Sequence, residues 1–253
     1  MKHLVITFLI VLIGFSTSCR HRTALPNMES VQLDTLFTEG KTNFELSYDF
    51  ASIKNASKSP ALQSIETSNI QYFFDLEEFE GTAHEAIRAS IELLKADFAG
   101  TLSIPWTASI SAKSEAKIVD TLLVYTIDRS EYTGGAHGLQ SISCHNYSIE
   151  GGYELASGDL FTPEEQDALL QLIHTKLYEQ FEAKDDQGLA NAGLFPGEIT
   201  LTENFAVTPE GITFIYNPYD IACFALGLIE VSISNEELAK FIHIDKQTVS
   251  AEN

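Results

Sequence analysis

Three Ser/Thr-x-x-Glu boxes, Thr82–Glu85, Thr162–Glu165 and Ser234–Glu237, stand far apart in a chain whose other apolar residues mostly alternate. In such a box the hydroxyl and the carboxylate satisfy each other's free backbone donors, which marks the first turn of a helix. The first box opens a stripe of Ala83, Ile87, Ile91, Leu94 and Phe98, closed by Gly100. The second, with Pro163 in its first turn, carries Leu169, Leu172, Ile173, Leu177 and Phe181, and the third carries Leu238, Phe241 and Ile242. Stripes at this spacing face a core. Between the boxes the period changes to two. Phe44, Leu46, Tyr48 and Phe50 alternate with polar residues, and strands are predicted at 117–129, 138–149, 199–207, 212–216 and 229–233. Glu150-Gly151-Gly152 and Thr208-Pro209-Glu210-Gly211 read as turns. Residues 55–64 read as loop, and the alternation of Ile70, Tyr72 and Phe74 favours strand over 65–76. Few helices among runs of hairpins predict an α+β fold, with antiparallel sheets and about three helices packed on them.

The N-terminus has a different grammar. Met1-Lys2-His3 precedes an apolar run from Leu4 to Phe15, and Ser16-Thr17-Ser18-Cys19 follows. The run is too short for a permanent membrane span, which takes about 20 residues, and reads as a signal peptide over 1–18. Small residues ending in a cysteine resemble a bacterial lipobox, so Cys19 is the expected lipidation site and the membrane anchor. The alternative is an ordinary secretory peptide cut near Ser18. Residues 19–40 then read as a tether, and the protein is expected in the cell envelope, on the periplasmic face.

The full chain carries 15 Lys+Arg against 36 Asp+Glu, a formal charge of −21. So acidic a surface repels nucleic acid and anionic lipid, which argues against a nucleic-acid binder. The acidity is uneven. Residues 20–130 hold ten basic and sixteen acidic groups, whereas 131–253 hold four and twenty.

Within the acidic half an ordered set of segments carries a resemblance. Tyr132-Thr133-Gly134-Gly135-Ala136-His137-Gly138 leads into a strand ending Asn146-Tyr147-Ser148-Ile149, followed by Gly151-Gly152-Tyr153-Glu154-Leu155 and Gly158-Asp159-Leu160-Phe161. Farther on come Phe205, Thr208 to Ile212, Asn217-Pro218-Tyr219-Asp220-Ile221-Ala222, Gly227 and Val231-Ser232-Ile233. This set, from 131 to about 245, resembles the extracellular domain family of RsiV, an anti-sigma factor whose outer domain binds lysozyme. Residues 41–130 resemble the smaller domain of unknown function that accompanies it and that also occurs beside the catalytic domain of the deacetylase PdaC. Cys223-Phe224 stands where that family commonly has Pro-Tyr, and no cytoplasmic sigma-binding or deacetylase motif is present. The resemblance implies a non-catalytic α+β binding module of the cell envelope, with units 41–130 and 131–253 packed together. It implies a basic, lysozyme-type protein or cell-wall glycan as partner.

Candidate ligand-binding residues are Tyr132, Gly134, Gly135, His137, Tyr219 and Asp220. The glycines allow close backbone approach and positive φ, and the tyrosines offer rigid contact area with a polar tip. The competing reading is a tight turn with locally bonded His137, core tyrosines, and Asp220 bonding nearby amides. Trp106 reads as a core anchor. No nucleophile elbow, phosphate loop or metal-ligand spacing is found, so no catalytic residue, metal or cofactor is assigned. An envelope-polysaccharide hydrolase using His137 with Asp159 or Asp220, and a purely structural lipoprotein, are the alternatives. Cys144 and Cys223 are either a disulfide, as an exported protein allows, or two buried thiols.

Overall fold

A computed structural model describes residues 24–98 and 106–241. The signal peptide, Cys19 and residues 20–23 lie outside the described residues, as do the side chain of Phe241 and all of Ile242. The chain opens with strands β1 (Met28–Glu39) and β2 (Thr42–Ile53), crosses over through helices α1 (Pro60–Phe74) and α2 (Ala83–Phe98), and returns as β3 (Trp106–Val119), β4 (Leu122–Tyr132) and β5 (Leu139–Ser148). These five strands form one sheet in chain order. Every neighbour is antiparallel except β2 and β3, which run parallel because the helical crossover brings the chain back to the same end. Short helix α3 (Ser157–Leu160), long α4 (Pro163–Gln180) and α5 (Asp186–Ala192) follow. They lead to a second, antiparallel sheet of β6 (Phe205–Thr208), β7 (Gly211–Tyr216) and β8 (Ile229–Ser234), ending in α6 (Asn235–Phe241). The fold is α+β, as predicted.

All three capping boxes form, at the starts of α2, α4 and α6. Phe44, Leu46, Tyr48 and Phe50 are buried on one face of β2. There Phe50 and Tyr48 meet Phe73 and Phe74 of α1 at ring separations of 5.1–5.9 Å. A second core gathers Leu169, Ile173 and Leu177 of α4 against Phe205, Phe214 and Val231.

Several expectations are corrected. Residues 65–76 are not a strand but lie largely in α1, which begins where a loop was predicted. Ser59 accepts the Leu62 amide as N-cap, Pro60 sits in the first turn, and left-handed Asp75 closes the helix. The burial of Leu62, Ile65, Asn69 and Phe73 follows the helical period and overrides the apparent alternation. From Met28 onward the expected tether is strand β1, its residues paired one-for-one with β2 around a turn at Gly40. The predicted strand 117–129 is the β3–β4 hairpin, broken at left-handed Asp120, and strand structure in 199–207 begins only at Phe205. The expected division at 130/131 falls inside β4, and β5 belongs to the first sheet. Of the two alternatives left open for Cys144 and Cys223, the structure has two free thiols, Cys144 buried and Cys223 half-buried. Cys144 is buried beside Thr126, and burial pushes its thiol up to about 11.

The two sheets are joined by asparagine side chains acting as surrogate peptides. Along the outer edge of β5, Asn204 accepts the Cys144 amide at 2.9 Å and donates to the Ile142 carbonyl at 2.8 Å. Asn217 accepts the Ile142 amide at 2.8 Å and donates to the same residue's carbonyl at 3.1 Å. Asn146 of β5 returns the favour: it donates to the Phe205 carbonyl at 2.7 Å and accepts the Val207 amide at 3.0 Å. Asn146 is 1% exposed. Replacing it with Ala strands two backbone groups of β6, the buried Phe205 carbonyl and the half-buried Val207 amide. The expected loss is about 3 kcal/mol of unfolding free energy in urea titrations, whereas an exposed control such as Asn191→Ala changes little. Alkylation by iodoacetamide followed by peptide mapping is expected to modify Cys223 in the native protein and to reach Cys144 only after unfolding; protection of both until reduction would mean that they are bonded after all.

Candidate functional site

The face of the first sheet opposite α1 and α2 carries small polar side chains. Register places Asp34, Ser47, Ser111, Ser130 and Gln140 side by side, one on each consecutive strand. The next row is Leu36, Glu45, Ser109 and Tyr132. Adjacent strands lie about 4.8 Å apart, so these rows lay a shallow hydroxyl-lined floor across the strands. The connection from β7 to β8 rises over one end of it and contributes Pro218, Phe224, Leu226 and Leu228. Floor and wall enclose a groove of about 1090 Å³. Asp34, Glu45 and Glu131 are among its described lining residues, none of which is Lys or Arg. Glu131 pairs with Arg129 at 3.0 Å on the helix side of the sheet, where Arg129 also donates to the Phe73 carbonyl, so the floor's own carboxylates are Glu45 and Asp34, which accepts the Ser47 hydroxyl at 2.7 Å. Glu45 is exposed.

Of the predicted recognition residues only Tyr132 lines the groove; His137 and Tyr219 stand beside it, stacked on the lining residue Phe224. His137 lies flat on Phe224, ring centres 3.8 Å apart and planes 22° from parallel. Tyr219 stacks on the same phenyl ring at 5.7 Å and is 56% exposed. The Nδ1 of His137 is 3.0 Å from the Gly138 carbonyl, which fixes the imidazole plane. Tyr132 lines the groove directly, and its hydroxyl donates to the Gly135 carbonyl at 3.1 Å.

The two glycines serve different needs. Gly134 (φ 111°) lies over the Trp106 ring, where an added Cβ would come within 2.9 Å of a ring carbon. Gly135 (φ 99°) faces open space and is there for its backbone angle. Trp106 is half-buried against Phe98 and Tyr132, so it supports the loop from below.

Asp220 has a structural duty. Its carboxylate accepts the Asn217 amide at 2.7 Å, and its own amide donates to the Asn217 carbonyl at 3.0 Å. This closes a turn in which Tyr219 sits at φ 78°. Asp159, the other acid considered with His137, accepts the Ala156 amide at the start of α3. Neither carboxylate is hydrogen-bonded to His137. A different histidine does meet a carboxylate, on the helix side of the sheet. His145 Nδ1 is 2.7 Å from Glu154 Oε1, Tyr72 donates to Oε2 of the same carboxylate at 3.0 Å, and the Tyr72 ring covers the imidazole at 4.0 Å. The His145 Nε2 is buried, so this cluster ties α1 to β5 and offers no open base.

Sequence reasoning missed Phe224, the floor serines and the β1 contribution of Asp34 and Leu36. The ring at 224 stands at the position where the resemblance led one to expect tyrosine, and that was its only signal. Gly134→Ala combines an unfavourable backbone angle with a clash on the indole. It is expected to cost about 1–3 kcal/mol and to shift the emission of Trp106, the only tryptophan, while Gly135→Asn is milder in both readouts.

No functionally curated protein matches the chain. Among solved structures it is similar to a DUF3298 family member from Bacteroides fragilis, with 25% identity and a TM-score of 0.74, over 87% of this chain and 94% of that one. It also shares its fold with a DUF3298 family protein from Pseudomonas aeruginosa, at 19% identity and a TM-score of 0.61, over 86% and 94% of the two chains. Residues 158–236, from α3 into α6, match the family model described as protein of unknown function (DUF3298), so the second unit of this chain carries a DUF3298 domain.

Proposed function

We propose that this protein is a non-catalytic binding module of the cell envelope, held on the periplasmic face by lipid on Cys19, whose groove receives a basic protein of the lysozyme type. The observation that carries the reading is the groove itself: carboxylates on its floor, no Lys or Arg among its described lining residues, and at one end Phe224 with His137 and Tyr219 stacked on it. Cationic side chains are attracted to such a floor, and guanidinium or lysine stems pack well on exposed rings. The strong acidity of residues 131–253 favours encounter with a basic partner over long range. The RsiV-type resemblance of 131–245 and the PdaC-type resemblance of 41–130 belong to the same reading.

A second reading, cell-wall glycan in place of protein, is favoured by one feature: hydroxyl-bearing side chains at strand spacing beside stacked aromatic rings also suit a sugar chain. The hydrolase reading has less support, since Asp159 and Asp220 are both engaged with backbone amides. Calorimetry distinguishes the readings. Lysozyme is expected to bind at low salt and to weaken at moderate salt, and Glu45→Lys or Phe224→Ala should each lower affinity by about tenfold. No heat in either buffer sinks the lysozyme version; heat with soluble peptidoglycan fragments alone selects the glycan.

A further inference from the structure

The first sheet treats its two edges in opposite ways. The outer edge of β5 is closed by the carboxamides of Asn204 and Asn217. The outer edge of β1 is paired to no described strand. It is a long edge, twelve residues in unbroken register with β2, and its sequence Met28–Glu39 contains no Pro, Lys or Arg, the residues that commonly block edge pairing. The Lys54 amide bonds the Asn27 carbonyl, and antiparallel alternation from that pair turns the N–H and C=O of Ser30, Gln32, Asp34, Leu36 and Thr38 outward.

We propose that β1 is a docking edge for an extended basic segment of the partner, which adds to the sheet as a sixth strand. This deepens the reading of the groove as a site for a basic protein, because Asp34 and Leu36 belong both to the edge and to the groove. Two properties of the edge specify the occupant. On the open face the margin bears Asp34, Glu45 and Asp49, with Leu36 73% exposed among them. On the helix face Val31, Leu33 and Phe37 are only partly buried against the core. A matching strand therefore alternates, with basic residues over the carboxylates and apolar residues completing the helix-side cover. Of the cations near β1, Lys54 pairs with Glu29 and Lys95 with Glu92. A second copy of this chain is the less favoured occupant, because it brings the same acidic margin of Asp34, Glu45 and Asp49 against itself. Antiparallel self-pairing centred on Asp34 sets Asp34 against Asp34 and Glu29 against Glu39.

The test uses a blocked nine-residue peptide alternating lysine with valine or threonine, and a control of equal charge alternating lysine with proline. The full chain is expected to bind the first at least about tenfold more tightly than the second. Amides of residues 30–38 should exchange with deuterium more slowly when the first peptide is bound. Gln32→Pro removes one outward donor without touching the β1–β2 ladder and should abolish both effects; Asp34→Lys should weaken binding with the edge intact. Equal affinity for the two peptides, or unchanged binding by Gln32→Pro with native circular dichroism, overturns the proposal. So does a dimer in sedimentation that Gln32→Pro dissolves, which would make the occupant a second copy. Because the peptides are read without lysozyme, a failure of the edge and a failure of the lysozyme reading are told apart.

Discussion

A carboxamide has the donor and acceptor of a peptide group on one short stem, and three of them hold this protein together. Asn146, Asn204 and Asn217 spend that equivalence at one place, the outer edge of β5. A β-strand edge left bare must find water or another strand, and a buried one must find protein. Here the side chains of Asn204 and Asn217 complete the ladder at Ile142 and Cys144, and the backbone of 153–155 completes it at Asn146 and Ser148. The arrangement also fixes the groove. Asn217 grips Ile142 with its side chain while its backbone opens the turn that Asp220 closes. That turn sets Tyr219, and the chain after it sets Phe224 beneath His137. The aromatic end of the groove is thus held on two sides, by the Asn217 clamp on β5 and by backbone pairing of 221–223 with 193–195.

Much of this was legible in the residues. Capping boxes located three helices because their chemistry is local, and the alternation of Phe44 to Phe50 located β2 because one face is buried. The gathering of 132–138 with 217–224 follows the segments that carried the family resemblance. What was not legible depends on long-range partners. β1 looks like a tether because its apolar residues, Val31, Leu33 and Phe37, are sparse, and only pairing with β2 makes their period meaningful. The floor serines are unremarkable one by one and become a surface only through register. α1 was hidden because its cap, Ser59-Pro60, sits in a stretch of small polar residues, and because aromatic residues at 72–74 mimic a strand.

Acid groups follow two different logics. Those near helix starts, Glu85, Glu165, Glu203 and Glu237, accept backbone amides, and the hydrogen bonds from Lys176 and Ser234 hold the Glu237 carboxyl down at about 2. They are parts of the frame. Glu45 and Asp49 stand instead on an uncovered sheet face, where partners are hydroxyls or solvent. Net charge alone conceals this distinction, since it counts both kinds alike.

The single parallel ladder has a kinetic meaning. β1–β2 is a local hairpin and β3–β4–β5 a local meander, each able to form from nearby residues, but the join between Thr42–Asp49 and Trp106–Lys113 must wait for the chain from 54 to 105 to fold back. Contacts across such separations form late and set the pace of folding. The groove floor crosses that seam between Ser47 and Ser111. The groove floor is therefore expected among the last features to be completed, and Trp106, lying at the seam opposite Thr42, is a built-in optical reporter of its closure.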